Sequence, residues 1–340
     1  MRVALVGYGF MGKMHTQCYQ ATGEATIAAV VDVEADRRED AASKFGCKTY
    51  TNINDVLNLP DIDVIDICTP TYLHEEMVIA AAKAGKTIMC EKPMSLSVES
   101  CDRMIEAVEK AGVTLMIGQV IRFWPEYQVI KELVDSGKYG KVEWLEAKRV
   151  SPIATYAWQN WFADPNKSGG AILDLHIHDA DYISYLLGTP KKVQAVGVPN
   201  SSGAIDSVQT VGWEHPSGAK SSAVASLALA PGFPFNMALL VACEKATIKF
   251  DMAADPSLMV YQFDGEPFAP KIPEQKVSQS TEQTGNISSL GGYFNEIQYF
   301  VECVKAGKKP EIVTPQAARE AVRICLAERN SIETGKPTEL

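Results

Sequence analysis

The run Gly7-Tyr8-Gly9-Phe10-Met11-Gly12 constrains this 340-residue chain more than any other segment. Its G-x-G-x-x-G form is weak evidence when it stands alone. Here it follows an apolar strand, Arg2-Val3-Ala4-Leu5-Val6, and opens a helix-like stretch. Asp32 then ends the next apolar run. Gly7 permits a tight turn, Gly9 lets the backbone approach a pyrophosphate, and Gly12 allows close helix–strand packing. The first helical turn, through Phe10 and Met11, presents its N–H groups and positive dipole end to an anion. Asp32 can accept hydrogen bonds from both ribose hydroxyls, and it would repel a 2′-phosphate. The spacing therefore predicts a dinucleotide site for NAD, with NADP the alternative because Arg37 and Arg38 lie nearby.

The flanking pattern agrees. Strand-like runs at 2–6, 26–31, 63–68, 87–90 and 113–118 alternate with helix-like runs at 12–21, 34–45, 72–84 and 98–111. Nearly continuous apolar strands separated by amphipathic helices predict a parallel sheet covered on both faces. Ser97 reads as the N-cap of the last helix and Gly112 as its end. Beyond residue 120 the pattern changes. A helix at 126–136 and a strand at 142–150 lead into an irregular stretch, then a helix at 172–187. Strand-like runs follow at 192–198, 207–214, 219–229, 237–242, 246–250 and 258–263. Strands without intervening helices predict a largely antiparallel sheet with one open face. Residues 264–290 read as a loop. Two helices close the chain, the second with Thr314 as N-cap and Pro315 at its first position. The fold expected is α/β plus α+β. Residues 1–120 would form a Rossmann domain. Residues 121–340 would form a substrate-binding and oligomerisation domain, with an open, predominantly antiparallel sheet flanked by helices.

Composition excludes several classes. A net charge of −10 provides no basic face for nucleic acid. The apolar runs are strand-length, so no membrane span is expected. The N-terminus lacks a signal-peptide pattern. Eight cysteines without a CxxC pair read as reduced thiols of a cytoplasmic protein, not as disulfides or a zinc site.

In an open parallel sheet, ligands bind beyond the carboxyl ends of the strands. Thr69, Pro70, Glu91, Lys92 and Gln119 would lie along that edge. His74, in the first turn of the next helix, is read equally as a cofactor contact or as a helix-surface histidine. A lysine at the strand end in Glu91-Lys92-Pro93 is costly to bury, and beside a cofactor its charge can steady an alkoxide. On the helix at 172–187, Asp174, His178, Asp181 and Tyr185 fall on one stripe. An acid one turn from a histidine holds its ring and raises its basicity. Such a histidine suits proton abstraction from a hydroxyl. His176 and His178, at i and i+2, point to different helix faces, so no metal is expected.

With Gly7–Gly12, Thr69-Pro70 to His74, Glu91-Lys92-Pro93, and Gly169-Gly170 to Asp174-x-x-x-His178 in this order, the chain resembles the Gfo/Idh/MocA family. This is the glucose–fructose oxidoreductase and inositol dehydrogenase family. The likeness covers nearly the whole chain and includes Tyr293-x-x-Glu296. It implies NAD(P)-dependent oxidation or reduction of a sugar, inositol or related polyol. It also implies a homodimer or homotetramer formed through the open sheet. By the resemblance, Lys92 is the EKP lysine, and Asp174 and His178 are the acid and base. Gln119 stands where many members have asparagine near the nicotinamide. Arg122, Trp161, His176 and Tyr293 line the pocket. Trp158, Trp161, Phe162 and Tyr156 offer apolar faces to a ring, and Asn160 a hydrogen bond. Two other classes stay open: a non-catalytic cofactor-binding regulator and an NAD-dependent glycosidase.

Overall fold

The computed structural model describes residues 1–155, 157–200, 203–274 and 290–340. Tyr156 and most of the stretch read as a loop at 264–290 lie outside the described residues. The described chain forms two compact units. One comprises Met1–Phe123 and residues 290–319, the other Trp124–Glu274 and Glu320–Leu340.

The first unit is built on six strands: β1 Arg2–Val6, β2 Thr26–Val31, β3 Lys48–Tyr50, β4 Val64–Ile67, β5 Thr87–Glu91 and β6 Leu115–Gly118. All pair in parallel, in the order β3-β2-β1-β4-β5-β6. This is the doubly wound order whose direction reverses between β1 and β4, where ligands enter. The connecting helices are α1 Phe10–Thr22, α2 Ala35–Phe45, α3 Asn54–Leu57, α4 His74–Lys83 and α5 Val98–Ala111. The short β3 and α3 escape the sequence reading because neither is long enough to show a period. Ser97 caps α5 by accepting from the Ser100 N–H, and Gly112 closes it with φ 67°. Beyond β6 a 3-10 turn, Val120–Phe123, leads into the second unit.

The second unit opens with α6 Pro125–Asp135 and β7 Val142–Val150. The short α7 Pro165–Ser168 and then α8 Ile177–Leu187 follow. Strands β8 Lys192–Pro199, β9 Ile205–Glu214, β10 Lys220–Ser226, β11 Asn236–Cys243, β12 Ala246–Asp251 and β13 Leu258–Gln262 come next. The chain ends with α9 Gly291–Lys305, α10 Pro315–Thr334 and β14 Thr338–Glu339. The sheet order is β13-β12-β11-β7-β10-β9-β8-β14. Every pair is antiparallel except β10 with β7. Helix α9 packs against α1 and therefore belongs to the first unit. A single cut near residue 120 thus does not follow the compact units. The apolar face of α9 finds its partner far back in sequence, and no linear reading shows that. Thr314 caps α10 as expected, accepting from the Ala317 N–H at 3.1 Å.

One face of the large sheet is covered by α8 and the turn before it. Two buried charge pairs lie on that side. Arg149 of β7 makes a two-pronged contact with Asp179 of α8, at 3.1 and 2.8 Å. His176 lies 2.8 Å from Glu328 of α10, whose other oxygen accepts from the Trp213 indole at 2.9 Å. Both pairs are almost fully buried. Burial alone would lower the His176 pKa, but Glu328 outweighs it and raises it above the ordinary imidazole value of 6.5.

Two stability predictions follow from these pairs. Asp179→Asn leaves Arg149 buried without its counter-ion and should cost about 3–5 kcal/mol in denaturant unfolding. The raised pKa of His176 means that its stabilisation is complete below pH 6.5 and is lost as pH rises through the folded value. The advantage of wild type over Glu328→Gln should therefore be largest near about pH 6 and shrink in alkali, as thermal unfolding across pH would record.

Candidate active site

In the first unit the glycine turn is fixed by contact with the backbone. Gly7 has φ 92°, and a Cβ there would lie 2.6 Å from the Cys68 carbonyl oxygen. A Cβ on Gly12 would come within 2.1 Å of the Gly7 carbonyl oxygen. Gly9 differs: its nearest neighbour would be Arg37 Nη1 at 3.5 Å, so its outer side is open. Helix α1 starts there with no side-chain cap and no acidic residue in its first turn. Those features suit a bound anion at the helix N-terminus.

Asp32 follows β2 and is held in place. Its two carboxylate oxygens accept from the Tyr8 N–H at 2.7 Å and the Glu34 N–H at 2.8 Å. Arg37 Nη1 lies 3.6 Å away. Arg38 turns elsewhere and donates to the Asp32 and Val33 carbonyls. A carboxylate has about four acceptor positions, so Asp32 keeps capacity for ribose hydroxyls.

The strand ends carry the other cofactor candidates. Thr69 and Pro70 follow β4 and are partly exposed, as is Lys92 after β5. The Lys92–Pro93 peptide is cis. Gln119 is fully buried, and both polar atoms of its amide lack a protein partner. An unpaired buried amide costs about 1–3 kcal/mol per group, so the orphan fits a site built for a polar ligand. The residues present therefore fit a dinucleotide. Gly7, Gly9, Gly12 and the α1 N-terminus would hold the pyrophosphate, Asp32 the adenosine ribose, and Gln119 with the strand-end loops the nicotinamide half.

His74 and Glu91 are tied into the protein. His74 is fully buried, with Nδ1 3.0 Å from the Pro93 carbonyl oxygen and Nε2 2.9 Å from the Thr69 carbonyl oxygen. Burial pushes its pKa down. A neutral ring donates to only one of these carbonyls, so His74 sits between two loops and is not a helix-surface histidine. Glu91 bonds the Lys92 N–H and His15.

His15, on α1 three residues after Gly12, is absent from the sequence reading. Its Nδ1 lies 2.8 Å from Asp66 of β4, and its Nε2 lies 3.0 Å from Glu91. Cys68 is 3.4 Å from the ring, and Cys18 and Tyr19 of α1 approach the same cluster, with Glu296 of α9 near Cys18. Burial alone would lower the His15 pKa, but Asp66 and Cys68 outweigh it and hold it well above the imidazole range. Burial would raise the Glu91 pKa, yet His15 and Lys92 bring it below the ordinary value. The ligand atoms of His15, Asp66 and Cys68 lie within 4.8 Å of one another. Direct contact between ring and carboxylate makes this a hydrogen-bonded ion pair. Asp66 inside Val64-Ile65-Asp66-Ile67 was the readable signal, because a charge in a buried strand needs a partner.

Arg122 is nearly buried and donates to the Ile312 carbonyl, which anchors the 3-10 turn. Tyr293 lies on α9, buried, in the first unit.

In the second unit the helix expected at 172–187 is not uniform. Residues Ile172–His176 form a π-turn, and α8 continues from Ile177. The wider turn shifts the stripe read from a regular helix, and such turns are frequent at functional sites. Gly169 and Gly170 precede it with φ 76° and 70°. A Cβ on Gly169 would clash with Leu173 at 2.5 Å. Asp174 lies in the π-turn and His178 in the first turn of α8, both partly exposed. His176 is fully buried, with Nε2 2.8 Å from Glu328. Its i+2 offset from His178 turns it inward. Trp161 stacks on Phe162 with ring centroids 4.2 Å apart. Beside them Gln159 and Asn160 adopt φ 48° and 52°, a costly left-handed backbone that collects at ligand-binding loops.

Comparison with known proteins places the chain in a family. Residues 1–119 match the model of the oxidoreductase family with the NAD-binding Rossmann fold, and residues 127–249 match the GFO/IDH/MocA C-terminal domain. The chain is 28% identical to myo-inositol 2-dehydrogenase of Thermotoga maritima, covering 100% of this chain and 98% of that protein. It is 29% identical to scyllo-inositol 2-dehydrogenase (NAD(+)) of Bacillus subtilis, covering 100% and 96%. The structure of levoglucosan dehydrogenase with NADH and levoglucosan superposes with a TM-score of 0.87 at 22% identity, covering 100% and 99%. At that identity the likeness speaks to fold. No helix among the described residues is long and apolar enough to cross a membrane. The chain belongs to the Gfo/Idh/MocA family and is an NAD-dependent oxidoreductase of CH–OH groups.

Proposed function

We propose that the protein moves hydride between NAD and a secondary alcohol of inositol, a sugar or a related polyol. In this reading His178 is the general acid/base and Lys92 the oxyanion-stabilising cation. One observation carries the choice of base. All five histidines lie within the described residues, and His15, His74, His176 and His215 are at most 1% exposed. His178 alone is partly exposed.

In the oxidation direction His178 accepts the hydroxyl proton. The ammonium of Lys92 stabilises the negative charge that develops on the oxygen as the proton leaves. Asp174 orients the imidazole and favours its charged form. When bound, NAD supplies the hydride acceptor. The partly exposed Trp158, Trp161 and Phe162 supply apolar faces for a ring. The names of the two full-length relatives put inositols first among substrates to try.

The open face of the large sheet is the proposed self-association surface, giving a homodimer or homotetramer. It exposes Trp144, Val196, Val198 and Val211, at 44, 55, 65 and 57%. Exposed large apolar groups in one face mark interaction sites. Val196→Glu with Val211→Glu should shift sedimentation towards the single chain. An unchanged species would remove the face from consideration.

His178→Ala and Lys92→Met should each lower turnover about 10²–10⁴-fold on the best substrate of an inositol and sugar panel. NAD binding by calorimetry should persist in both. Full turnover in either variant rejects that residue's role. NAD binding without turnover on any panel member would favour a regulator. Cleavage of a glycoside would favour the glycosidase class.

A further inference from the structure

The segment Glu91-Lys92-Pro93 is held on both sides by buried histidines. On one side, Glu91 Oε1 meets His15 Nε2 at 3.0 Å while Oε2 accepts from the Lys92 N–H at 3.0 Å. His15 is itself fixed by Asp66 at 2.8 Å. On the other side, His74 lies 3.0 Å from the Pro93 carbonyl oxygen and 2.9 Å from that of Thr69. Both rings are fully buried. The adjacent strand leaves room for the arrangement. Gly118 pairs with Glu91, and a Cβ there would press on the Glu91 carboxylate at 3.3 Å.

We propose that His15 and His74 are positioning residues for Lys92. His15 acts through the Glu91 carboxylate and His74 through the Pro93 carbonyl. The inference rests on the reading of Lys92 as the oxyanion-stabilising group.

Chemistry distinguishes this role from charge neutralisation alone. Asp66 already supplies His15 with a counter-ion. A second buried carboxylate carries a further desolvation cost, and apolar replacements of such groups are often as stable. What Glu91 adds is the bond to the Lys92 backbone. A lysine side chain is long and rotatable, so its reach is governed by where its Cα is held. Catalytic groups must be held to within about 0.5 Å, and a displacement of about 1 Å can cost about 10²-fold in rate. Two rigid rings, each bonded to a neighbour of Lys92, supply that restraint.

The test uses the whole protein with Glu91→Gln, His15→Gln and His74→Gln, each also made in the Lys92→Met background. Glu91→Gln keeps the side-chain shape and decides the matter if His15→Gln does not fold. His74→Gln tests the second arm independently. With NAD⁺ and the best panel substrate, each should lower kcat by up to about 10²-fold with little change in KM. In the Lys92→Met background the same substitutions should add almost nothing. An equal further loss there overturns the proposal, because the histidines would then act apart from Lys92. If Lys92→Met alone leaves turnover intact, the catalytic reading of the lysine fails instead. Positioning is also read without substrate, from the rate at which N-hydroxysuccinimidyl acetate acetylates Lys92, followed by peptide mass spectrometry. Glu91→Gln should change the Lys92 rate and leave that of exposed Lys83 unaltered. An unchanged Lys92 rate overturns the proposal.

Discussion

Asp66 is a carboxylate in a strand whose other residues, Val64, Ile65 and Ile67, are fully buried. An isolated charge there would be prohibitive, so the first unit must neutralise it. His15 reaches over from α1 to do so, and its second nitrogen then needs an acceptor. Glu91 provides it from β5. Three residues thus lock α1, β4 and β5 to one another. Helix α1 begins at the glycine turn, and β5 ends at Glu91, immediately before Lys92. Gly12 sets the height of that helix over the turn, because nothing larger fits against the Gly7 carbonyl. The glycine turn and the lysine therefore share one support.

The second unit meets the same problem with a cation. Arg149 points to the buried face of β7 and takes Asp179 as its counter-ion, while His176 takes Glu328. These partners flank His178 in sequence: His176 lies two residues before it and Asp179 one after. The backbone on either side of the proposed base is therefore pinned to the sheet and to α10. The ring of His178 remains partly exposed. A base on a mobile loop would meet its substrate in many orientations. One carried on a doubly anchored turn loses little entropy in becoming productive.

Much of this was legible in the chain. Continuous apolar strands and the Gly7–Gly12 spacing define the parallel sheet, because burial on both faces leaves no other pattern. Ser97 and Thr314 cap their helices for the local reason that their oxygens reach backbone N–H groups two or three residues on. Lys92 stood out because a charge at the end of an apolar strand is costly to bury, and Asp174 and His178 because they share one helical stripe; their roles remain proposals. The π-turn at 172–176 was not legible. A period-3.6 stripe fits the segment almost as well, and the wider turn lies against β9 and β10, far along the chain. Nor was the placement of α9, which depends on a partner nearly 300 positions earlier. His176 was read as pocket-lining by likeness to a motif. Its burial follows from Glu328 and Trp213, neither of which lies near it in sequence.

In the proposed role of Asp32, the preference for NAD would follow from how firmly its carboxylate is held. Its oxygens accept from the N–H groups of Tyr8 and Glu34 at 2.7 and 2.8 Å, and Arg37 stands beside it. For a 2′-phosphate to enter, the carboxylate would have to turn away and give up those bonds. A hydrogen bond to a charged group contributes about 1.5–3 kcal/mol, and about 1.4 kcal/mol is already tenfold in a binding constant. Arg37 offsets part of the repulsion. It does so only by leaving an ion pair with the same carboxylate, and Arg38 is already engaged with the Asp32 and Val33 carbonyls. The two arginines that kept NADP open in the sequence thus both contact Asp32, the acid proposed to select against it.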